Sequence, residues 1–169
     1  SHSASAYRWL EKTVKALDSG LSTFQSEAFF SPGSDCLDAI IEQCQKAAQS
    51  IDVCVFTISD NRIRDALLAA HERGVQVRIL TDNDKSEDRG SDVEETSAKG
   101  IPTRMDNSRH HMHHKYAIFD GAVLLNGSFN WTRSASEWNE ENITTTDEPR
   151  MIEKFQRNFD NLWKSCREI

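Results

Sequence analysis

Between His113 and Asn130 the chain reads H-x-K-x4-D, six intervening residues, then G-S-x-N, which fixes His113, Lys115, Asp120, Gly127, Ser128 and Asn130. Such a set can work on a phosphate diester. An imidazole is an uncharged nucleophile near neutral pH and a proton donor once charged. A lysine ammonium is a compact cation for charge that develops on phosphoryl oxygens. Ser128 and Asn130 offer short donors for the non-bridging oxygens. Lys115 and an imidazolium supply the positive charge that a metal would otherwise provide, so neither metal nor cofactor is expected. Two imidazoles are needed if one attacks and the other protonates the leaving oxygen.

The spacing says how these groups must be held. His113, Lys115, Ala117 and Phe119 are two apart and share one face of a β-strand. Asp120-Gly121 is a two-residue hairpin signal, because both residues tolerate positive φ. Ala122 to Asn126 then returns as a second strand and delivers Gly127 to Asn130 beside His113 and Lys115. Gly127 is expected to let the backbone approach a ligand closely. Asp120 lies too far along the strand for first contact with substrate.

This order and spacing resemble the phospholipase D superfamily, whose HKD motif is the same pattern. The resemblance runs from about Phe29 to Trp163. It is nearest to the small single-motif branch, of bacterial endonuclease-like and mitochondrial cardiolipin hydrolase-like (Zucchini) proteins, through Met112 to Ile118, Gly127 to Thr132 and Asn139 to Asn142. It implies that His113 forms a covalent phosphohistidine which water hydrolyses, and that Asp120 supports the motif. It also implies a downstream carboxylate that orients the nucleophile, with Glu141 the first candidate and Glu140 the second. The superfamily uses two motifs and this chain has one, so a homodimer with a shared site is implied, an isologous interface needing only one patch. No other stable protein partner is inferable. Animal Zucchini proteins carry a zinc-finger insertion where Phe30 to Asp35 here runs directly into a helix, which favours a bacterial relative or a divergent branch.

His110, His111, His113 and His114 form a cluster, and such clusters can bind metal. No Cys or carboxylate lies at familiar zinc spacing from them, and a solvated loop explains His110 and His111. Cys44 and Cys54 read as small buried hydrophobes, and Cys36 and Cys166 as free thiols. Trp131 and Trp138 belong either to an interface or groove, or to ordinary core and surface.

The remaining elements alternate. Helices are expected at Ala6 to Leu17, Asp35 to Gln49, Asn61 to Glu72, Asp92 to Lys99 and from Pro149, with strands at Ala28 to Phe30, Ile51 to Ile58, Val75 to Thr81, Ile101 to Met105 and Asn142 to Thr146. Leu10, Val14 and Leu17 stripe the first helix; Met151, Phe155, Phe159, Leu162 and Trp163 stripe the last. Asp82 to Ser91 reads as a polar loop. The expected class is α/β, a mixed β-sheet flanked by helices, the phospholipase D-like fold that the motif also implies. Residues 1–26 are expected to form an N-terminal helix and linker, and 27–169 a single catalytic domain.

No apolar run reaches the length of a membrane span. A soluble domain is therefore expected, with a cytoplasmic location favoured; Ser1-His2-Ser3 leaves open a removed signal or anchor. A net charge of −7 argues against tight duplex binding, since phosphate contacts carry much of that affinity. Arg104, Arg109, Lys115, Arg133 and the histidines are candidates to line a locally basic groove, whereas Arg62, Arg64, Arg73 and Arg78 read as solvated faces. Single-stranded DNA or RNA is the first expected substrate. A cardiolipin-like phospholipid is the alternative, and a non-catalytic nucleic-acid or lipid-binding module the third.

Overall fold

Local signals place most elements of the computed structural model, which describes residues 2–18, 23–83 and 92–169. In chain order they are α1 (His2–Asp18), β1 (Ser26–Ser31), α2 (Asp35–Lys46), β2 (Ser50–Val55), β3 (Ile58–Ser59), α3 (Asn61–Glu72), β4 (Gln76–Thr81), α4 (Val93–Ala98), β5 (Thr103–Met105), β6 (Lys115–Phe119), β7 (Val123–Gly127), β8 (Trp131–Thr132), α5 (Arg133–Glu137), β9 (Glu141–Thr146), α6 (Pro149–Ser165) and β10 (Arg167–Glu168). α3 begins where the Asp60 carboxylate accepts from Arg62 N at 3.0 Å, satisfying one orphan donor of the first turn. α6 begins with Pro149 behind Glu148, whose carboxylate accepts from the backbone of Arg150 and Met151.

Eight strands form one mixed sheet in the order β1-β9-β7-β6-β2-β4-β5-β10, as the α/β reading expected; β3 and β8 pair separately. β2–β4 and β4–β5 are parallel, while β6 runs antiparallel to both β2 and β7. Alternation along each strand sends side chains to two cores. Ile51, Val53, Ala117, Leu125 and Ile143 meet α2 and α3 through Ile40 and Leu67. Cys54, Leu80, Tyr116, Ile118 and Leu124 meet α6 through Ile152 and Phe159. Each of the larger fully buried side chains stabilises the fold by about 2 kcal/mol.

Several boundaries differ from expectation. The apolar run after Ile51 does not stay one strand: Phe56 N donates to His114 O at 3.0 Å while Phe56 O accepts from Thr81 Oγ1 at 3.1 Å, and beyond it the chain leaves for β3. α2 ends at Lys46 rather than Gln49 because Ala48, Gln49 and Ser50 give their N–H groups to the Asp120 carboxylate. Ala122 joins the turn, since Phe119 pairs with Val123; Asp120 and Gly121 take φ of 54° and 61°. On α6 it is Ile152 that is buried, and Met151 is exposed. Leu10 and Val14 of α1 are exposed beside Tyr7 and Trp9 instead of forming a buried stripe; Leu17 and most of the 82–91 loop lie outside the described side chains. Among the described residues no helix is long and apolar enough to cross a membrane.

Candidate active site

The register brings the motif's two halves to one end of the sheet. Lys115 opens β6 beside Val55 of β2, and Gly127 closes β7 beside Ile143 of β9. Gly127 is demanded by that second pairing: a Cβ there would stand 2.0 Å from Asn142 O. The close approach is therefore between strands, where the sequence reading gave it to a ligand. Asn142 O accepts from both Ser128 N and Phe129 N, which turns the chain out of β7.

His113 and Lys115 touch. Lys115 Nζ lies 3.1 Å from His113 Nδ1 and donates to His113 O at 2.9 Å. Lys115 is 9 % exposed, whereas His113 is exposed at the surface. The Phe56 ring underlies both, 5.6 Å from the ammonium and 4.7 Å from the imidazole centroid. Desolvation lowers the Lys115 pKa and the negative charge of Glu141 opposes that. Desolvation, then the charges of Lys115 and His111, lower the His113 pKa, against an opposing contribution from Asp82. His113 is thus biased toward the free base that an attacking imidazole must be.

The other candidates are distributed unevenly. Glu141, half-buried, heads β9 on the same face as Ile143 and accepts from Asn139 Nδ2 at 3.2 Å; its charge reaches Lys115. Glu140 is exposed and precedes the strand. Ser128 is exposed, but its hydroxyl donates to Asn142 Oδ1 at 3.2 Å and accepts from Asn142 N at 3.1 Å. Asn130 is half-buried, and its Oδ1 is buried without a hydrogen-bond partner among the described residues. Asp120 stands at the opposite end of β6 from Lys115, accepting from Ala48, Gln49 and Ser50.

Two carboxylates with no role assigned from sequence hold the His loop. Asp82, fully buried at the carboxyl end of β4, accepts from Met112 N at 2.8 Å and lies 3.5 Å from His111 Nδ1. Asp106 accepts from Asn83 N and Ser108 N. The available signal was position: polar groups at the carboxyl ends of parallel strands gather at a binding edge. Beside this loop a cleft of about 790 Å³ runs between His110–His114 and the Leu162–Cys166 end of α6. Among the described residues no three His, Cys, Asp or Glu side chains converge as a metal site.

Among the described residues several arginines are committed elsewhere, whereas Arg109 and Arg133, groove candidates from sequence, are exposed. Arg62 pairs with Asp60, Arg64 with Asp92 and Glu95, and Arg78 with Asp52. Arg73 caps the Cys44 and Ala47 carbonyls. Arg104, a groove candidate from sequence, instead holds Glu168 and Trp163 O and stacks on the Trp163 ring. Trp131 is core, and Trp138 is 76 % exposed.

Comparison with known proteins agrees with this architecture. The family model "Cardiolipin synthase, PLD-like domain" matches residues 40–163. A mitochondrial cardiolipin hydrolase of Chlamydomonas reinhardtii is 46 % identical over 127 residues, covering 75 % of this chain and 57 % of that protein. The human protein of the same name is 35 % identical over 132 residues, covering 78 % and 52 %. The chain thus spans a little over half the length of these relatives. The solved phospholipase D family member Nuc from Salmonella typhimurium superposes with a TM-score of 0.82 at 27 % identity, over 87 % of this chain and 99 % of that one. NucT from Helicobacter pylori, at 23 % identity and a TM-score of 0.78, shares the fold.

Proposed function

The chain belongs to the phospholipase D superfamily, and on that premise we propose that it is a metal-independent phosphodiesterase working through a phosphohistidine on His113. The observation that carries this is the contact of a surface imidazole, biased toward its free base, with a buried ammonium 3.1 Å away. Nucleophile and electrophilic anchor are then one preassembled pair.

The resting contact supports a role for substrate in setting the His113 tautomer. An ammonium donating to Nδ1 leaves the ring proton on Nε2, the wrong tautomer for attack through Nε2. A bound phosphate anion is the stronger acceptor for Lys115, and drawing the ammonium away frees Nδ1 to carry the proton. Nε2 then attacks phosphorus. The bond from phosphorus to the leaving oxygen breaks, and that oxygen takes a proton from His113 of the partner subunit. Water next attacks the phosphohistidine, gives its proton to the partner subunit's His113, and the P–N bond breaks. A homodimer is thus part of the proposal, because one chain supplies one such imidazole. Asn130 and Ser128 would bind the non-bridging oxygens, Ser128 by giving up its bond to Asn142. Glu141 would steady the charge of the His113–Lys115 pair, and Asp120 would support β6 from its far end.

Single-stranded nucleic acid is the first substrate reading. Exposed Phe30 and Trp138 flank this end of the sheet as stacking platforms for single-stranded bases, and among the described residues Arg62, Arg64 and Arg78 are engaged by carboxylates, which favours a single strand over a duplex. A cardiolipin-like phospholipid is the second, supported by the names of the two relatives above. The test is a side-by-side assay of single-stranded DNA, single-stranded RNA, duplex DNA and cardiolipin, with His113→Asn as blank. Turnover by wild type, labelled phosphate trapped on His113 and a dimer in sedimentation are expected. A turning-over His113→Asn protein, or an active monomer, would overturn the mechanism.

A further inference from the structure

We propose that Asp82 is a positioning residue for His113, acting through the Met112 backbone and the His111 ring. This rests on the reading of His113 as the attacking base.

His113 precedes the first residue of β6, so the strand ladder does not fix it. It is fixed by its neighbours. On one side, Met112 N donates to Asp82 Oδ2 at 2.8 Å, and the buried Met112 side chain sets its sulfur 3.5 Å from Cys54 Sγ. On the other, His114 O accepts from Phe56 N at 3.0 Å. These two anchors are themselves joined, because Asp82 N donates to Phe56 O at 3.4 Å. The His111 ring stands edge-on to Phe56 at 5.4 Å and its Nδ1 lies 3.5 Å from the same Asp82 oxygen. His113 packs on that phenyl ring too. Asp82, Phe56 and His111 therefore form one frame, and His113 is the group it presents.

Asp82 is a carboxylate with no solvent exposure, and its Oδ2 faces both Met112 N and the His111 ring. Among the described residues, the charged and titratable groups around His113 are Lys115 on β6, His111 and His114 in the loop, and Asp82 at the end of β4, with Glu141 of β9 acting on Lys115. Lys115 and His111 disfavour the protonated ring, and Asp82 favours it. Asp82 thus helps to hold the ring and opposes the fall in its basicity that desolvation, Lys115 and His111 cause.

Asp82→Asn keeps an acceptor and the volume but removes the charge; Asp82→Ala removes both; His111→Gln removes the exposed ring. The readouts are an NMR titration of the His113 ring proton in the full chain and kinetics on bis(p-nitrophenyl) phosphate. In Asp82→Asn the His113 midpoint should fall by roughly half a pH unit. Less of the partner subunit's His113 is then protonated to serve the leaving oxygen, so kcat should fall about threefold with KM little changed, and the acid limb of kcat should move to lower pH. Asp82→Ala should lose about a hundredfold, because the ring is also displaced. His111→Gln should move the midpoint the opposite way. A folded Asp82→Asn protein with an unshifted His113 and wild-type kcat overturns the proposal. Should Asp82→Asn not fold, an unshifted midpoint in His111→Gln overturns it instead. If the midpoints move as expected but wild type cleaves no diester, the frame stands and the phosphodiesterase reading fails.

Discussion

Replacing Asp120 separates support of the strand from work at phosphorus. The carboxylate accepts from Gln49 N at 2.7 Å, Ser50 N at 2.9 Å and Ala48 N at 2.9 Å, which ends α2 and starts β2. Hydrogen bonds to a charged acceptor contribute about 1.5–3 kcal/mol each when sheltered. Asp120 is half-exposed, so solvent reduces this to about 1 kcal/mol apiece. Asp120→Ala should therefore cost about 2–3 kcal/mol, which for a chain of this size lowers Tm by roughly 5–10 °C. The three N–H groups hold the Asp120 carboxyl below the ordinary range, against the opposing effect of desolvation. A depressed folded pKa makes the contribution present above the unfolded value of about 3.9 and lost as pH falls through the folded value. The Tm gap between wild type and Asp120→Ala should thus be full at neutral pH and shrink below about pH 4. Activity should follow a different rule. Five residues of strand put Asp120 about 17 Å from Lys115, so kcat measured well below both melting points should stay within about twofold of wild type. Melts by calorimetry at several pH values, with kinetics at a permissive temperature, decide it. A collapse of kcat with Tm unchanged would refute the argument and return Asp120 to the chemistry.

Gly127→Ala should cost about 3 kcal/mol or prevent folding, because the new Cβ meets the Asn142 carbonyl; denaturant melts check this. Glu141→Gln should lower kcat about tenfold, since its charge faces Lys115, while exposed Glu140→Gln stays near wild type; the opposite pattern in steady-state kinetics would exchange their roles. Hydrolysis should persist in excess EDTA, and loss of activity restored by a divalent ion would point to the His cluster. The acid limb of kcat/KM should lie below the ordinary histidine value of about 6.5, because desolvation and Lys115 favour the free base; a limb above it would contradict that environment.

What the chain spells out locally could be read locally. α3 is bounded by the Asp60 cap and by Gly74 at φ 90°, and both signals lie within its own turns. The hairpin follows from Asp120-Gly121, so the pairing of β6 with β7 that returns Gly127 to the Lys115 end of the sheet was legible from spacing. Where the reading failed, the deciding partner is distant in sequence. α2 stops early for a carboxylate 70 residues on, β2 stops at Val55 because Phe56 answers His114 and Thr81, and Met151 yields its buried place to Ile152 once α6 takes its phase against the sheet. Asp82 looked like loop polarity until the parallel pairing of β2 and β4 set it beneath Met112. Residue type and spacing determined which chemistry this protein can attempt. The sheet register decided which groups meet to attempt it, because a one-residue slip reverses every side chain's face, and no short stretch of sequence specifies its partner across the sheet.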